Sequence, residues 1–597
     1  MMIGKGIIKD LRARSGHYLS DWTGEASKGK QALTRIAAAS VYIFFASAVP
    51  AIAFGQQLKK YTKDEMGIVH TLAATGITGC MQAVLGGQPL LIVGVAEPIV
   101  IIYHFLYEYA KDNSIPFVPW SGWVCVWASI TLFILALGNA ANFIEKFTRF
   151  SGEIFGLIIA VLFLQQSIKG LVDEFDYDKV SGSWATLNGV FGLLLAFVYI
   201  YLSTMMSGAR KWRIGNSAIR AILADYGSAI MIVVVSALSF CLKGNGDVPQ
   251  RMKVLAPTKS SWLKHGIYVA DDMADIATGD ILAAIIPGIV IAVLFYFDHS
   301  VSSMLAQQHE FKVKKPSAYH YDLLLISAMT MICGMLGLPP VNGVLPQAPL
   351  HTRSLCSKLK KEKKGKDAES GEVTSESDEG SLVCHETRIS NLVQSCMCLL
   401  CMLIGYEFLN NVPTSIIWAF FTFMSLESLP GNQLFDRVQI VISDKKRRKQ
   451  FLNTHHALYL ESVRFSKIVQ FTAIQVILLL GIWAITVWTG LIGISFPLWI
   501  MALVPFRLYV LPKYFTESEL NDLDSSEVEE LPAGIHNPAL AGKTNGKESF
   551  LADDSDSDSA QSVLDDGTES YRTMGFKKTL TEEEIKKRFS QAQGNTL

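Results

Sequence analysis

Charge is scarce in this chain. Only 18% of its 597 residues are Asp, Glu, Lys or Arg, while 50% are hydrophobic. A soluble domain carries nearer about 25% charge, so the composition argues against one. The net charge is −1, which provides no overall basic field and excludes nucleic acid as an expected partner. Residues 1–30 are polar and basic and lack the apolar core and cleavage site of a signal peptide, so insertion is expected to use the first internal apolar segment. Cysteine is sparse and odd in number, nine in all, without the spacing of a secreted disulfide framework. Cys396, Cys398 and Cys401 cluster in an apolar run with no neighbouring His or acid. They read as small hydrophobes rather than a metal site, and neither metal nor cofactor is expected. The patterns His-Glu-x-x-His and Gly-x-Ser-x-Gly are missing as well, which leaves no signature of a membrane-embedded enzyme.

Long apolar runs are what the chain has instead. About twelve are long enough to cross a bilayer, which takes roughly 20 apolar residues. They fall near 36–54, 67–86, 121–139, 153–170, 187–206, 222–241, 281–308, 321–338, 390–408, 412–428, 468–488 and 490–511. Two interrupted segments, near 89–109 and 341–353, raise the expectation to about fourteen. Basic residues concentrate in alternate connections: Arg210, Lys211, Arg213 and Arg220; Lys312, Lys314 and Lys315; and Lys445 to Arg448. That bias places these connections and both termini in the cytoplasm. The opposite face carries Asp173, Glu174, Asp176 and Asp178. Residues 354–388 are polar and read as a mobile cytoplasmic loop, and 577–588 as an isolated helix. The chain thus divides into a cytoplasmic segment 1–32, a membrane transporter domain 33–512, and a disordered acidic cytoplasmic tail 513–597.

The two interruptions resemble one another. One reads Gly94-Val95-Ala96-Glu97-Pro98, the other Gly343-Val344-Leu345-Pro346-Gln347-Ala348-Pro349. Paired Gly/Pro breaks in matching segments point to the midplane site of a secondary transporter. At membrane depth an irregular backbone survives only inside protein or beside a watery cavity. Pro98 and Pro349 suit the first turn of a helix. Each stretch is therefore read as a short extended piece, 89–93 and 341–345, leading into a half-helix, the alternative being that Pro and Gly merely kink two packed helices. Two half-helix N-termini facing one another offer amide donors and about half a positive charge each, an anion site without lysine or arginine.

Three polar residues stand out around that site. Glu97 has two readings: a carboxylate that caps the helix dipole, or a proton carrier at membrane depth. Gln347 has two as well, since its amide suits a hydroxylated solute and can equally satisfy exposed backbone. Asp298 lies in Tyr296-Phe297-Asp298-His299-Ser300, and Val301, Met304 and Leu305 continue at helical spacing. The helix is expected to run about two turns further, which puts the carboxylate inside the membrane as a functional candidate. His299 reads as its local hydrogen-bond partner. Glu153 and Asp225 read as favourable first-turn charges.

Several motifs taken in order resemble the plant boron transporters, relatives of the animal bicarbonate/anion exchangers. They are Ile43-Phe44-Phe45-Ala46-Ser47-Ala48-Val49-Pro50, Gly86-Gly87-Gln88-Pro89-Leu90-Leu91, Gly152-Glu153-Ile154-Phe155-Gly156, Phe297-Asp298-His299-Ser300-Val301 and Glu427-Ser428-Leu429-Pro430-Gly431-Asn432-Gln433. The likeness extends to Asp522-Leu523-Asp524 and Glu529-Glu530. It implies an all-α polytopic membrane protein of about 14 segments in a 7+7 inverted repeat, segments 3 and 10 being the broken half-helices. It implies a core (about 33–139 and 281–408) moving against a gate (about 140–241 and 412–511). It further implies a plasma-membrane homodimer that exports borate, with membrane lipid around it. The resemblance puts substrate contacts at Gly94, Val95, Ala96, Glu97, Pro98, Gln347, Ala348 and Pro349, and the acidic residue of segment 8 at Asp298. Where the animal exchangers carry an arginine, this chain has Gln347, which argues against chloride/bicarbonate exchange.

Overall fold

Unbroken apolar stretches can satisfy their backbone in lipid only as helices, and the computed structural model builds them so. It describes residues 4–176, 182–241, 248–260, 262, 268–308, 311–358, 382–444 and 463–524. The chain divides into units Met1–His536 and Asn537–Leu597, and every described residue belongs to the first. In chain order the principal helices are α1 (Lys5–Ser15), α2 (Tyr18–Thr23), α3 (Lys30–Tyr61), α4 (Ile68–Leu85), α5 (Glu97–Asp112), α6 (Phe117–Leu137), α7 (Arg149–Asp173), α8 (Ser183–Ser207) and α9 (Ser217–Leu238). They continue with α10 (Ile285–Ala306), α11 (Tyr319–Met335), α12 (Gln347–Ser354), α13 (Ile389–Ile404), α14 (Thr414–Ser428), α15 (Gln433–Ile442), α16 (Phe465–Trp488), α17 (Phe496–Tyr509) and α18 (Glu517–Leu523). Among the described residues, nine helices are long and apolar enough to cross a membrane. The expected segments at 321–338, 390–408 and 412–428 form shorter helices of 17, 16 and 15 residues.

α3 carries the most architectural weight. At 32 residues it measures about 48 Å, well beyond a hydrocarbon core of about 30 Å. It starts after Gly29, whose φ of 97° few other residues adopt, and stops where Thr62 turns its hydroxyl back to Leu58. Phe54 packs against Phe163 of α7 and Phe421 of α14, joining three helices in one aromatic cluster.

Among the described residues, four short strands complete the fold. β1 (Val93–Gly94) pairs antiparallel with β2 (Asn342–Gly343), and β3 (Cys356–Lys358) with β4 (Leu382–Cys384). The second pair corrects the expectation of a mobile insert. Both ends of 354–388 are built into the fold, with Thr387 and Arg388 buried, while 359–381 lies outside the described residues.

The N-terminal segment is likewise stitched in. Buried Asp21 accepts from Arg14 (2.9 Å), Lys315 (2.5 Å) and Arg388 (3.1 Å). Arg388 also donates to the carbonyls of Ala83 and Gly86, closing the C-terminal end of α4. Breaking such a buried cluster at one partner costs about 3–5 kcal/mol, so α1 and α2 are held firmly.

The tail expectation needs a similar correction. Folded chain continues past residue 513 through α18 to Asp524, which is buried and accepts from the amide of Phe150 (2.5 Å) and from Arg507 (2.6 Å). It thereby caps the N-terminus of α7. Residues 525–597, including the expected helix at 577–588, and the basic cluster Lys445 to Arg448 lie outside the described residues.

Candidate functional site at the crossed segments

A helix N-cap takes extended backbone angles. Ala96, which caps α5 ahead of Glu97 and Pro98, is extended at φ −120°, ψ 156°. The first break thus forms β1 and then α5; the second forms β2 and then α12. The two strands pair with Val93 opposite Gly343 and Gly94 opposite Asn342, and the amide of Val344 donates to Ile92 (3.0 Å). This backbone ladder joins two segments far apart in sequence. Each half-helix begins within four residues of its strand, so both N-termini lie close to the crossing. Pro98 is the second residue of α5 and Pro349 the third of α12.

Gly343 permits the close approach on one side. A Cβ there would come within 3.1 Å of the Ser302 Cβ and 3.2 Å of the His299 Cα on α10. Ser302 fastens the same place by donating to the carbonyl of Val344 (3.1 Å). Gly94 is roomier, with no neighbour nearer than 3.4 Å to such a Cβ.

Each polar candidate has an identifiable partner. Glu97, 1% exposed, is the first residue of α5 and accepts from the Gln57 side chain of α3 (2.8 Å). Asp298, 3% exposed, lies on α10 two turns before its end at Ala306, and accepts from Asn342 of β2 (2.8 Å). The partner of Asp298 is thus Asn342, not the adjacent His299 expected from sequence. Gln347, the first residue of α12, donates its Nε2 to the carbonyl of Ala46 on α3 (3.1 Å). That carbonyl is available because Pro50, four residues on, has no N–H to offer it. Val95 donates to the Thr75 hydroxyl, Ala348 is buried, and Pro349 is half-buried.

α3 therefore grips both half-helix starts, through Gln57 and Ala46, about 16 Å apart along its axis. The second carboxylate oxygens of Glu97 and Asp298, and the amide oxygens of Asn342 and Gln347, are buried without a protein partner. Helix N-termini offer N–H donors here, and the unused oxygens offer acceptors.

Sequence reasoning overlooked Asn342, Gln57 and the Ala46–Pro50 pair. A lone Asn amid apolar residues and a proline within a spanning run were the available signals. It also missed Asp322, whose carboxylate accepts from the amides of Gly87 (2.7 Å) and Gln88 (3.0 Å) and fixes the entry to the first break. Two first-turn readings change, the first being Glu153, which is the fifth residue of α7 and lies beyond its first turn. Asp225 sits in the third turn of α9 and pairs with Arg210 (2.5 Å), rather than serving the helix start. Cys396 approaches Cys80, sulfur to sulfur, at 3.9 Å, and Cys398 contacts Gln394.

The description "HCO3- transporter integral membrane domain" matches residues 2–190 and 184–528. Boron transporter 4 of Arabidopsis thaliana is 38% identical, with 89% of each chain covered. Boron transporter 1 of Saccharomyces cerevisiae is 30% identical over 88% of this chain and 86% of its own. The transmembrane domain of the cyanobacterial bicarbonate transporter BicA aligns with a TM-score of 0.45 at 12% identity, covering 74% of this chain and 96% of that one. With a family description spanning nearly all the described helices and relatives matched almost end to end, this chain belongs to the HCO3- transporter family of integral membrane proteins, alongside its boron transporters.

Proposed function

We propose that the protein is a secondary active transporter that exports borate or boric acid from the cytosol across the plasma membrane by alternating access. The observation that carries this reading is the crossing of β1 and β2, which turns two half-helix N-termini toward one place. Half-helix dipoles and amides hold the negative charge of the solute, and the unused oxygens around them receive its hydroxyl protons. The names of the relatives support boron as the cargo.

In this reading a core (33–139 and 281–408) carries the site past a gate (140–241 and 412–511), within a homodimer whose termini are cytoplasmic. An inside-negative potential drives an anion outward by about 2.3 kcal/mol per charge per 100 mV. Boric acid is mostly uncharged near neutral pH and becomes the tetrahedral anion by adding a water molecule, which releases one proton. Asp298 accepts it, being a membrane-depth carboxylate away from any helix start.

Boron flux from proteoliposomes, set against pH gradient and voltage, tests this. The native chain is expected to respond to both, and Asp298→Ala to insert normally yet fall to background. Full flux in Asp298→Ala would remove the residue from the mechanism. Flux of sulfate, bicarbonate or a nucleobase in place of boron would replace the cargo.

A further inference from the structure

The amide side chains at the crossing share a bias. Asn342 spends its Nδ2 on Asp298, and Gln347 spends its Nε2 on Ala46. Their oxygens, Asn342 Oδ1 and Gln347 Oε1, are buried and take no hydrogen bond from the protein. A side-chain amide has a donor end and an acceptor end; here the donor ends are consumed internally.

For Gln347 the orientation has a specific cause. A helical hydrogen bond runs from the N–H of one residue to the carbonyl four before it, and proline has no N–H. Pro50, buried within α3, therefore strips Ala46 of its intrahelical partner. A buried carbonyl left unpaired costs about 1–3 kcal/mol, and the Gln347 amide removes that cost. Flipping the amide would set oxygen against oxygen.

We propose that Pro50 is a positioning residue for selectivity: by freeing the Ala46 carbonyl it fixes Gln347 with its oxygen toward the solute, so the site favours small solutes that bring O–H donors. The proposal rests on reading the crossing as the solute site. Boric acid and borate present hydroxyls on every side, whereas sulfate brings none at neutral pH. A site built to bond a hydroxyl rejects an analogue lacking one by up to about 10⁴-fold, because its own polar atom is left unpaired. Pro50 touches no solute in this account; it acts through Gln347.

The test uses the full-length chain in proteoliposomes, with boron flux as the signal and sulfate as competitor. Pro50→Ala returns an N–H to Ala46 and releases the Gln347 amide to turn its donors outward. A proline inside a helix costs about 3 kcal/mol, so this variant is expected to fold and to melt no lower than the native chain. The sulfate concentration that halves boron flux is expected to drop at least tenfold. In a Gln347→Leu background the Pro50→Ala change is expected to shift that concentration less than twofold, since the two residues act as one unit. An unchanged sulfate sensitivity in Pro50→Ala, or an equal shift with Gln347 gone, overturns the inference. A native chain that moves no boron fails earlier and brings down the transport reading as well.

Discussion

The two broken segments are built to one plan and finished differently. The first is sealed: residues 90–103 are buried throughout, α5 runs 16 residues, and its leading side chain is a carboxylate held by a neighbouring amide. The second is tighter at the strand and looser at the helix. Gly343 is pressed against α10, yet Pro346 is exposed, and α12 stops after eight residues with a neutral amide at its head. Charge at one start and an oriented amide at the other suggest a division of labour. Under the proposed function, the first half would stabilise the crossing and the second, with Asp298 behind it, would meet the solute.

The strongest challenge to that division is an exchange of carboxylate roles. Glu97→Gln keeps the shape of the side chain, weakens its hydrogen bond from Gln57 and loses an interaction with the helix dipole worth about 0.3–1 kcal/mol. Its boron flux is expected to stay within about threefold of native, whereas Asp298→Asn falls to background. Flux abolished in Glu97→Gln but retained in Asp298→Asn would move the proton to the first half.

A smaller effect concerns the glycines. Gly343→Ala forces a methyl against the backbone of α10 and is expected to cost about 1–3 kcal/mol, read as a lower melting temperature in detergent. Gly94→Ala meets only ordinary contacts and is expected to change stability by less than about 0.5 kcal/mol. Equal costs would mean that the two strands are packed alike.

The smallest effect lies at the hairpin that follows α12, a feature the first segment lacks. His385 contacts Glu25 (3.0 Å) and Ser357 (2.7 Å). Burial lowers the His385 pKa from its ordinary 6.5, so the unfolded hairpin binds a proton more readily and stability falls as pH drops below that value. Burial raises the Glu25 carboxyl, but Lys28 and His385 together bring it below its ordinary 4.5. Its contribution is present above that value and is lost as pH falls through the folded pKa, in the same direction. Protection factors at residues 382–385, which remove the pH dependence of intrinsic amide exchange, are expected to drop by less than about tenfold between neutral pH and about pH 5. Protection that rises over that range would contradict the sign.

Much of the fold was legible because membrane helices advertise themselves. Apolar length is a local property, and lipid leaves the backbone no alternative to helix. The breaks were legible for the same reason, since Gly and Pro are conspicuous where a helix is otherwise obligatory. The helical continuation past Asp298 followed from the spacing of Val301, Met304 and Leu305, and α10 runs to Ala306. The polar insert and tail were misjudged at their edges. A low-hydrophobicity pattern says nothing about single buried anchors such as Arg388 and Asp524, which earn their place through one ion pair or cap.

By itself the sequence determined that this is a multi-pass membrane protein with two matched interruptions, because composition and periodicity act within a few turns of chain. Only the tertiary structure decided that the interruptions pair strand to strand, that Asp298 answers to Asn342, and that Gln347 turns toward a carbonyl 301 residues away. Those choices depend on which polar groups are left unsatisfied when distant segments meet. A proline's missing N–H matters to a glutamine only once the two share the same few ångströms.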